Sequence, residues 1–249
     1  MTPAARLAAA IAILDQLRDG TPAERALTNW GRASRFAGSG DRAAVRDHVF
    51  DVLRCRGSFA ALGGGESGRA LVLGLARAQG LDLAALFTGE GHAPAPLSGA
   101  EAARLAQPLP DESALADLDW PDWLRPQLRA GLGADYGAVS ARMRARAPVF
   151  LRVNLVRGDR AAAQAALALE GIATRPHPLA ETALEVTGGA RRVLASEAYR
   201  DGLVELQDAA SQAAIAQVPV AAGMRVLDYC AGGGGKALAL AARAPAARI

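Results

Sequence analysis

The sequence is short of the residue types on which much protein chemistry depends. Of its 249 residues two are cysteine, Cys55 and Cys230, and three are histidine. Two cysteines so far apart exclude a disulfide framework, and with no C-x-x-C pair and no His-rich neighbourhood a metal site is not expected. His48, His92 and His177 each lack an acid or cysteine partner at catalytic spacing, so each reads as a surface side chain. Long apolar runs are missing as well. Residues 7–14 are apolar and follow Arg6, but Asp15, Gln16 and Arg18 interrupt them before a signal segment is complete. Nothing approaches the roughly 18 apolar residues of a membrane span. Leu7, Ile11, Leu14 and Leu17 fit an amphipathic helix instead. The expectation is a cytoplasmic protein with reduced thiols, no bound metal and no membrane contact.

Lysine is nearly absent too. Lys236 is the one lysine among 28 basic residues, so the other basic side chains are all arginine. The planar guanidinium pairs bidentately with phosphate and stacks on bases, which suits an RNA partner. Against 25 acidic residues the net charge is only +3, compatible with RNA without requiring it. With 51% hydrophobic residues there is ample material for packed cores. The length suits one large domain or two to three small ones.

The first third reads as helical. Residues 4–18 open it, and Thr21, Pro22 and Glu24 give an N-cap, a proline at the first helical position and an acid in the first turn. A helix starting at Asp41 places Val45, Val49, Val52 and Leu53 on one face, with Arg42, Arg46, Arg54 and Arg56 around the rest. Gly63, Gly64 and Gly65 break the pattern, and residues 70–79 and 81–87 resume it, giving an all-helical N-terminal domain. Residues 89–110 read as a connector with a short helix at 98–106. Trp120 and Trp123 then open the next unit, and tryptophans there are expected to anchor its core.

Residues 149–156, VFLRVNLV, alternate as a half-buried strand: Val149, Leu151, Val153 and Leu155 one way, Arg152 and Asn154 the other. Gly158 and Asp159 cap a helix through Leu169 that Gly171 ends, and residues 172–175 and 183–187 supply further strands. A helix packed on a few strands makes an RRM-like α/β unit. Phe150 is the only aromatic in the first strand, so phosphate contact through arginine is expected there rather than base stacking. Asp208 is placed to cap a helix over residues 209–218.

The stretch MRVLDYCAGGGGKALALA, residues 224–241, carries the sharpest signal. Residues 226–230 read as a short buried strand, four glycines as a loop, and the Ala/Leu run from Lys236 as a helix. Strand, glycine loop and helix aim backbone N–H groups and a helix N-terminus at a ligand. A phosphate loop would need glycine where Cys230 stands and a hydroxyl where Ala237 stands. A dinucleotide loop can be laid on Gly232, Gly234 and Ala237, but the ribose-binding acid about 20 residues on would fall beyond Ile249. S-adenosylmethionine (SAM) favours an acid near the end of the strand, and Asp228 sits there.

VLDYCAGGGGK resembles the cofactor loop VLDxCAAPGGK of RNA 5-methylcytosine methyltransferases, the Sun/RsmB family. VELQDAASQ, residues 204–212, resembles the VQDxxSQ segment that precedes that loop. This chain has Gly232 and Gly233 in place of Ala-Pro and Ala237 in place of Thr. SGDRAAVRDHVFDVLR is similar to a segment of the NusB-like domain of that family, and LRVN at 151–154 and Trp123-Leu124 to its small middle domain.

The resemblance implies a multidomain chain. Residues 1–112 would form a NusB-like helical RNA-binding domain, residues 118–204 an RRM-like α/β domain, and residues 205–249 the start of a Rossmann-like methyltransferase domain. It implies SAM as cofactor, bound by Cys230, Ala231, Gly232, Gly233, Gly234, Gly235 and Lys236, and ribosomal RNA as partner of a protein that is monomeric when complete. In the family a cysteine thiolate attacks C6 of the cytosine, C5 takes the methyl group, and a second cysteine assists release. Both lie on loops after the cofactor loop, so the resemblance places the nucleophile beyond Ile249 and leaves this chain inactive alone. Two other classes stay open: a non-catalytic NusB-like antitermination protein, and a dinucleotide-dependent enzyme.

Overall fold

A computed structural model describes all residues 1–249, which form two compact units, Met1–Arg146 and Ala147–Ile249. The first is entirely helical. Its core elements are α1 (Pro3–Arg18), α2 (Ala23–Ala33), α3 (Ser39–Arg54), α4 (Arg56–Gly63), α5 (Gly68–Ala78) and α6 (Leu83–Leu86). Four more follow: α7 (Gly99–Leu105), α8 (Glu112–Leu118), α9 (Arg125–Leu132) and α10 (Tyr136–Met143). Thr2 caps α1 by accepting from the Ala5 N–H, with Pro3 in the first turn, where its missing donor is harmless. α2 starts one residue later than its sequence suggests, with Pro22 itself at the cap position.

Leu7, Ile13 and Leu14 of α1 and Val45, Val49 and Val52 of α3 meet in one core. Each such side chain contributes about 1.5–3 kcal/mol of burial. Leu53, expected on the same face as Val52, is exposed instead. Adjacent helical residues point about 100° apart, and the core takes the 45, 49, 52 series. α5 is buried almost all round and lies against α4 backbone to backbone. A Cβ on Gly74 would sit 2.1 Å from the Phe59 carbonyl oxygen, so only glycine permits the approach. The end of α8 is tied to α4 by a buried polar cluster. Asp119 accepts from the Ser58 N–H at 2.8 Å and the Ser58 hydroxyl at 2.9 Å, and pairs with Arg144.

The second unit is built on a four-stranded sheet of β1 (Val149–Val153), β2 (Ala173–Pro176), β3 (Ala183–Gly188) and β4 (Val204–Leu206), in the order β2-β3-β1-β4. Every neighbouring pair is antiparallel. α11 (Arg160–Leu169) crosses from β1 to β2 and α12 (Glu197–Arg200) precedes β4. Asp159 caps α11 from the Ala162 N–H, and Gly171 at φ +70° ends it. The alternation of β1 sends Leu151 and Val153 into a core with Ala163 and Leu167 of α11 and Leu184 and Val186 of β3. Leu155 lies past the end of the strand and is exposed.

The chain then continues into α13 (Ala209–Ala216) and α14 (Gly235–Arg243), whose Ile215, Ala239 and Leu240 form a small third cluster. Asp208 caps α13 from the Ala210 N–H, as its position predicts. Gln212 of α13 is buried over the sheet, donating to the carbonyls of Leu151 and Gln207 and accepting from the Thr182 hydroxyl. Between the two helices the expected buried strand over 226–230 does not form. Only a single parallel bridge, Arg225 to Arg248, joins the two flanks of α14, with Val226 N donating to the Arg248 carbonyl at 2.8 Å. Leu227 and Tyr229 are 84% and 86% exposed. A parallel strand is held by ladders and covering layers on its neighbours' sides, and here only Ala246 and Arg248 of one partner supply the pairing.

A candidate cofactor loop and the face of the sheet

The glycine loop is shaped by three backbone positions. Cys230 has φ +64° and is the only non-glycine residue in the left-handed region, a conformation that costs an L side chain about 1 kcal/mol. Gly232 and Gly234 follow at φ +57° and +79°, which glycine adopts freely. Gly234 is the N-cap of α14, and no side chain caps that helix. The first-turn N–H groups of α14 are thus left without a side-chain partner, at the end where the helix dipole is positive. Added Cβ atoms at Gly232, Gly233 and Gly234 would meet nothing within 4 Å, so the loop borders open space.

The seven residues expected to bind the cofactor form one continuous turn. Cys230, Gly232, Gly233 and Lys236 are exposed, while Ala231, Gly234 and Gly235 are half-buried. One further side chain reaches the turn, and another precedes it directly in the chain. The Gln207 amide nitrogen lies 3.6 Å from where a Gly235 Cβ would stand, so the end of β4 and the glycine turn are in contact. Gln207 Oε1 and Asp228 Oδ2 are both enclosed and lack any hydrogen-bond donor. Buried acceptors without donors are rare and costly, and a donating ligand is one way to satisfy them. Asp228 is legible in the sequence from its place before the loop. Gln207 is not singled out by any rule of spacing; its signal is its place in the LQDAASQ stretch that resembles VQDxxSQ, just before the capping Asp208.

The face of the sheet corrects another expectation. Arg152 is only 3% exposed and pairs with Glu205 on the neighbouring strand, so it does not reach phosphate. Burial of an arginine demands such a partner. Arg175 is likewise paired with Glu185, and Phe150 packs edge-to-face on His177 at 5.0 Å. Within LRVN, Leu151 and Val153 fill the core, Arg152 bridges strands, and Asn154 donates to the Gly202 carbonyl and accepts from the Val156 N–H. All four positions serve the fold.

Cys55 closes α3, buried, with its sulfur 3.7 Å from the Arg144 carbonyl oxygen. Burial pushes its thiol above the usual range, which argues against a nucleophile there. His48 is half-buried rather than on the surface, and burial lowers its pKa; His92 is exposed as expected. Trp120 donates its indole N–H to the Ser140 hydroxyl at 2.8 Å, whereas Trp123 is 70% exposed and anchors no core. No helix is long and apolar enough to cross a membrane.

Comparison with known proteins gives three kinds of match. Residues 120–191 match the ferredoxin-like domain of RsmF/B-like methyltransferases. The ribosomal RNA small subunit methyltransferase B of Xanthomonas campestris pv. campestris is 36% identical over 129 residues, 52% of this chain and 29% of that protein. The protein of the same name from Xylella fastidiosa strain 9a5c is 37% identical over 130 residues, 52% of this chain and 31% of that one. That of Vibrio cholerae is 34% identical over 131 residues, covering 52% and 30%. The matched stretch is thus about half of this chain and under a third of those relatives. In fold, the crystal structure of PH0851 superposes with a TM-score of 0.61 at 17% identity, over 97% of this chain and 61% of that one.

Proposed function

Since this chain belongs to the Sun/RsmB family, we propose that its glycine loop binds SAM for methylation of ribosomal RNA at carbon 5 of cytosine. In this reading residues 1–112 form a NusB-like RNA-binding domain and residues 118–204 the small α/β domain. Residues 205–249 begin a Rossmann-like cofactor domain. What supports it is the uncapped start of α14, with the donor-less Gln207 Oε1 on a side chain that touches Gly235 and the donor-less Asp228 Oδ2 just before the loop in the chain. SAM when bound supplies an electrophilic methyl group, and it brings the ribose hydroxyls and ammonium group that such acceptors require. The first-turn N–H groups of α14 suit its carboxylate. The open side of Gly232, Gly233 and Gly234 lets backbone come close to the ligand, and Asp228 orients it by accepting its hydrogen bonds. Neither cysteine is assigned the nucleophilic role: the Cys55 thiol is buried, and Cys230 belongs to the binding turn.

Calorimetric titration of SAM into the chain tests this. Gly234→Val is expected to abolish the heat of binding, because a β-branched residue at φ +79° is strained by more than 1 kcal/mol and blocks the approach. Asp228→Ala is expected to weaken binding at least about tenfold, the loss of one charged hydrogen bond. Unchanged affinity in both, or heat from NAD and none from SAM, would overturn the assignment.

A further inference from the structure

The all-helical unit carries a second surface, on which aromatic and cationic side chains lie close together in the chain. Between α2 and α3 the chain makes a tight turn in which Ala37 N donates to the Ser34 carbonyl, and both of those residues are buried. With its neighbours turned inward, Phe36 is driven out and is 75% exposed. Beside it lies a hollow of about 680 Å³ walled by Ala5, Ala9, Trp30, Phe36 and His92, with Glu90 as the acid on its lining. Three arginines stand nearby in the chain: Arg32 in the last turn of α2, Arg35 next to Phe36, and Arg42 in the first turn of α3. All three are exposed and have no carboxylate partner. Their neighbours differ. Arg46 is held by Glu24, and Asp41 is occupied by Arg6 and the Met1 amino group. Glu24 and Asp41 are thus spent on other cations, leaving these three charges unanswered.

We propose that this surface docks single-stranded RNA, with a base stacked in the hollow on Phe36 and the phosphates beside it held by Arg32, Arg35 and Arg42. The identity of the partner as RNA rests on the methyltransferase reading above. An accessible aromatic face flanked by free guanidinium groups is what a splayed strand requires, since every base has a stacking face and every linkage a charge. An acidic protein segment would answer the arginines but leaves the aromatic hollow unused.

The test is fluorescence anisotropy of the whole chain with a labelled single-stranded RNA of about twelve nucleotides, repeated over a range of salt. Phe36→Ala is expected to weaken binding about tenfold with the salt slope unchanged. Arg32→Gln, Arg35→Gln and Arg42→Gln together are expected to flatten the slope by about 2, near 0.7 for each phosphate lost. Phe36→Trp should retain affinity. Because all four side chains are exposed, circular dichroism of the variants should match the parent, and SAM titration should match it too. Parent-like RNA binding by both variants, or no RNA binding by the parent, would overturn this surface. An acidic peptide displacing RNA equally from parent and Phe36→Ala would replace RNA with a protein partner and overturn it as well. Failure of the parent to bind SAM, with the RNA effects intact, would remove the methyltransferase reading and leave the surface standing.

Discussion

Glu101 and Arg152 both sit where charge meets packing, and partners decide what each does. Arg152 is neutralised by Glu205 and becomes part of the sheet. Glu101 closes the capping box of α7 and takes Arg69 bidentately, at 2.7 and 3.0 Å. The Arg69 hydrogen bonds hold the Glu101 carboxyl at about 2, outweighing the burial that would raise it. A carboxylate whose folded pKa lies below its unfolded value of 4.5 stabilises the fold fully above that pH. The contribution fades as pH falls toward 2. Glu101→Gln is therefore expected to lower the urea midpoint at pH 7, with the gap to the parent closing steadily below about pH 4.5. A gap that stays constant between pH 7 and pH 3 would show that the ion pair adds nothing to stability.

Among the elements, the packing of α4 on α5 depends on a missing side chain rather than a present one. Gly74→Ala places a methyl group against the Phe59 carbonyl, where backbone must shift, and is expected to destabilise the first unit by at least about 2 kcal/mol in chemical denaturation. Gly40→Ala, at a position with open space around the Cβ and φ outside the left-handed region, is the matched control and is expected to be neutral or stabilising. In the sequence Gly63, Gly64 and Gly65 read as a break between helices. The structure adds that Gly63 also belongs to this contact, its Cβ position lying 1.8 Å from the Ala70 carbonyl oxygen. Close approach of two backbones leaves no trace in a hydrophobic pattern, because the pattern records which side chains are apolar and not how near two helices come.

For the whole molecule, the sheet of the second unit and the helices of the first are folded around separate cores, while the glycine turn rests on the smallest of the three clusters. Purified 1–249 is expected to transfer no methyl group from labelled SAM to unmodified ribosomal RNA. The Cys55 thiol is buried and pushed up in pKa, and Cys230, though exposed, stands in the turn proposed to hold the cofactor, so neither is assigned the attack on a base. Label in RNA that disappears on Cys230→Ser or Cys55→Ser would refute this.

What is local in the chain is legible without a structure. Caps at Asp159 and Asp208, the alternation of Leu151 and Val153, the 45, 49, 52 stripe and the turn of glycines before α14 are written in neighbouring residues, because each is set by backbone preference and side-chain period within one or two turns. The pairings between distant segments are decided by tertiary structure. Glu205 captures Arg152 across 53 residues and removes it from any ligand. Gln207 meets Gly235 because β4 ends beside the loop. Residues 226–230 stay out of a ladder despite their apolar start, because a strand exists only where another backbone offers hydrogen bonds, and that offer is made by the fold.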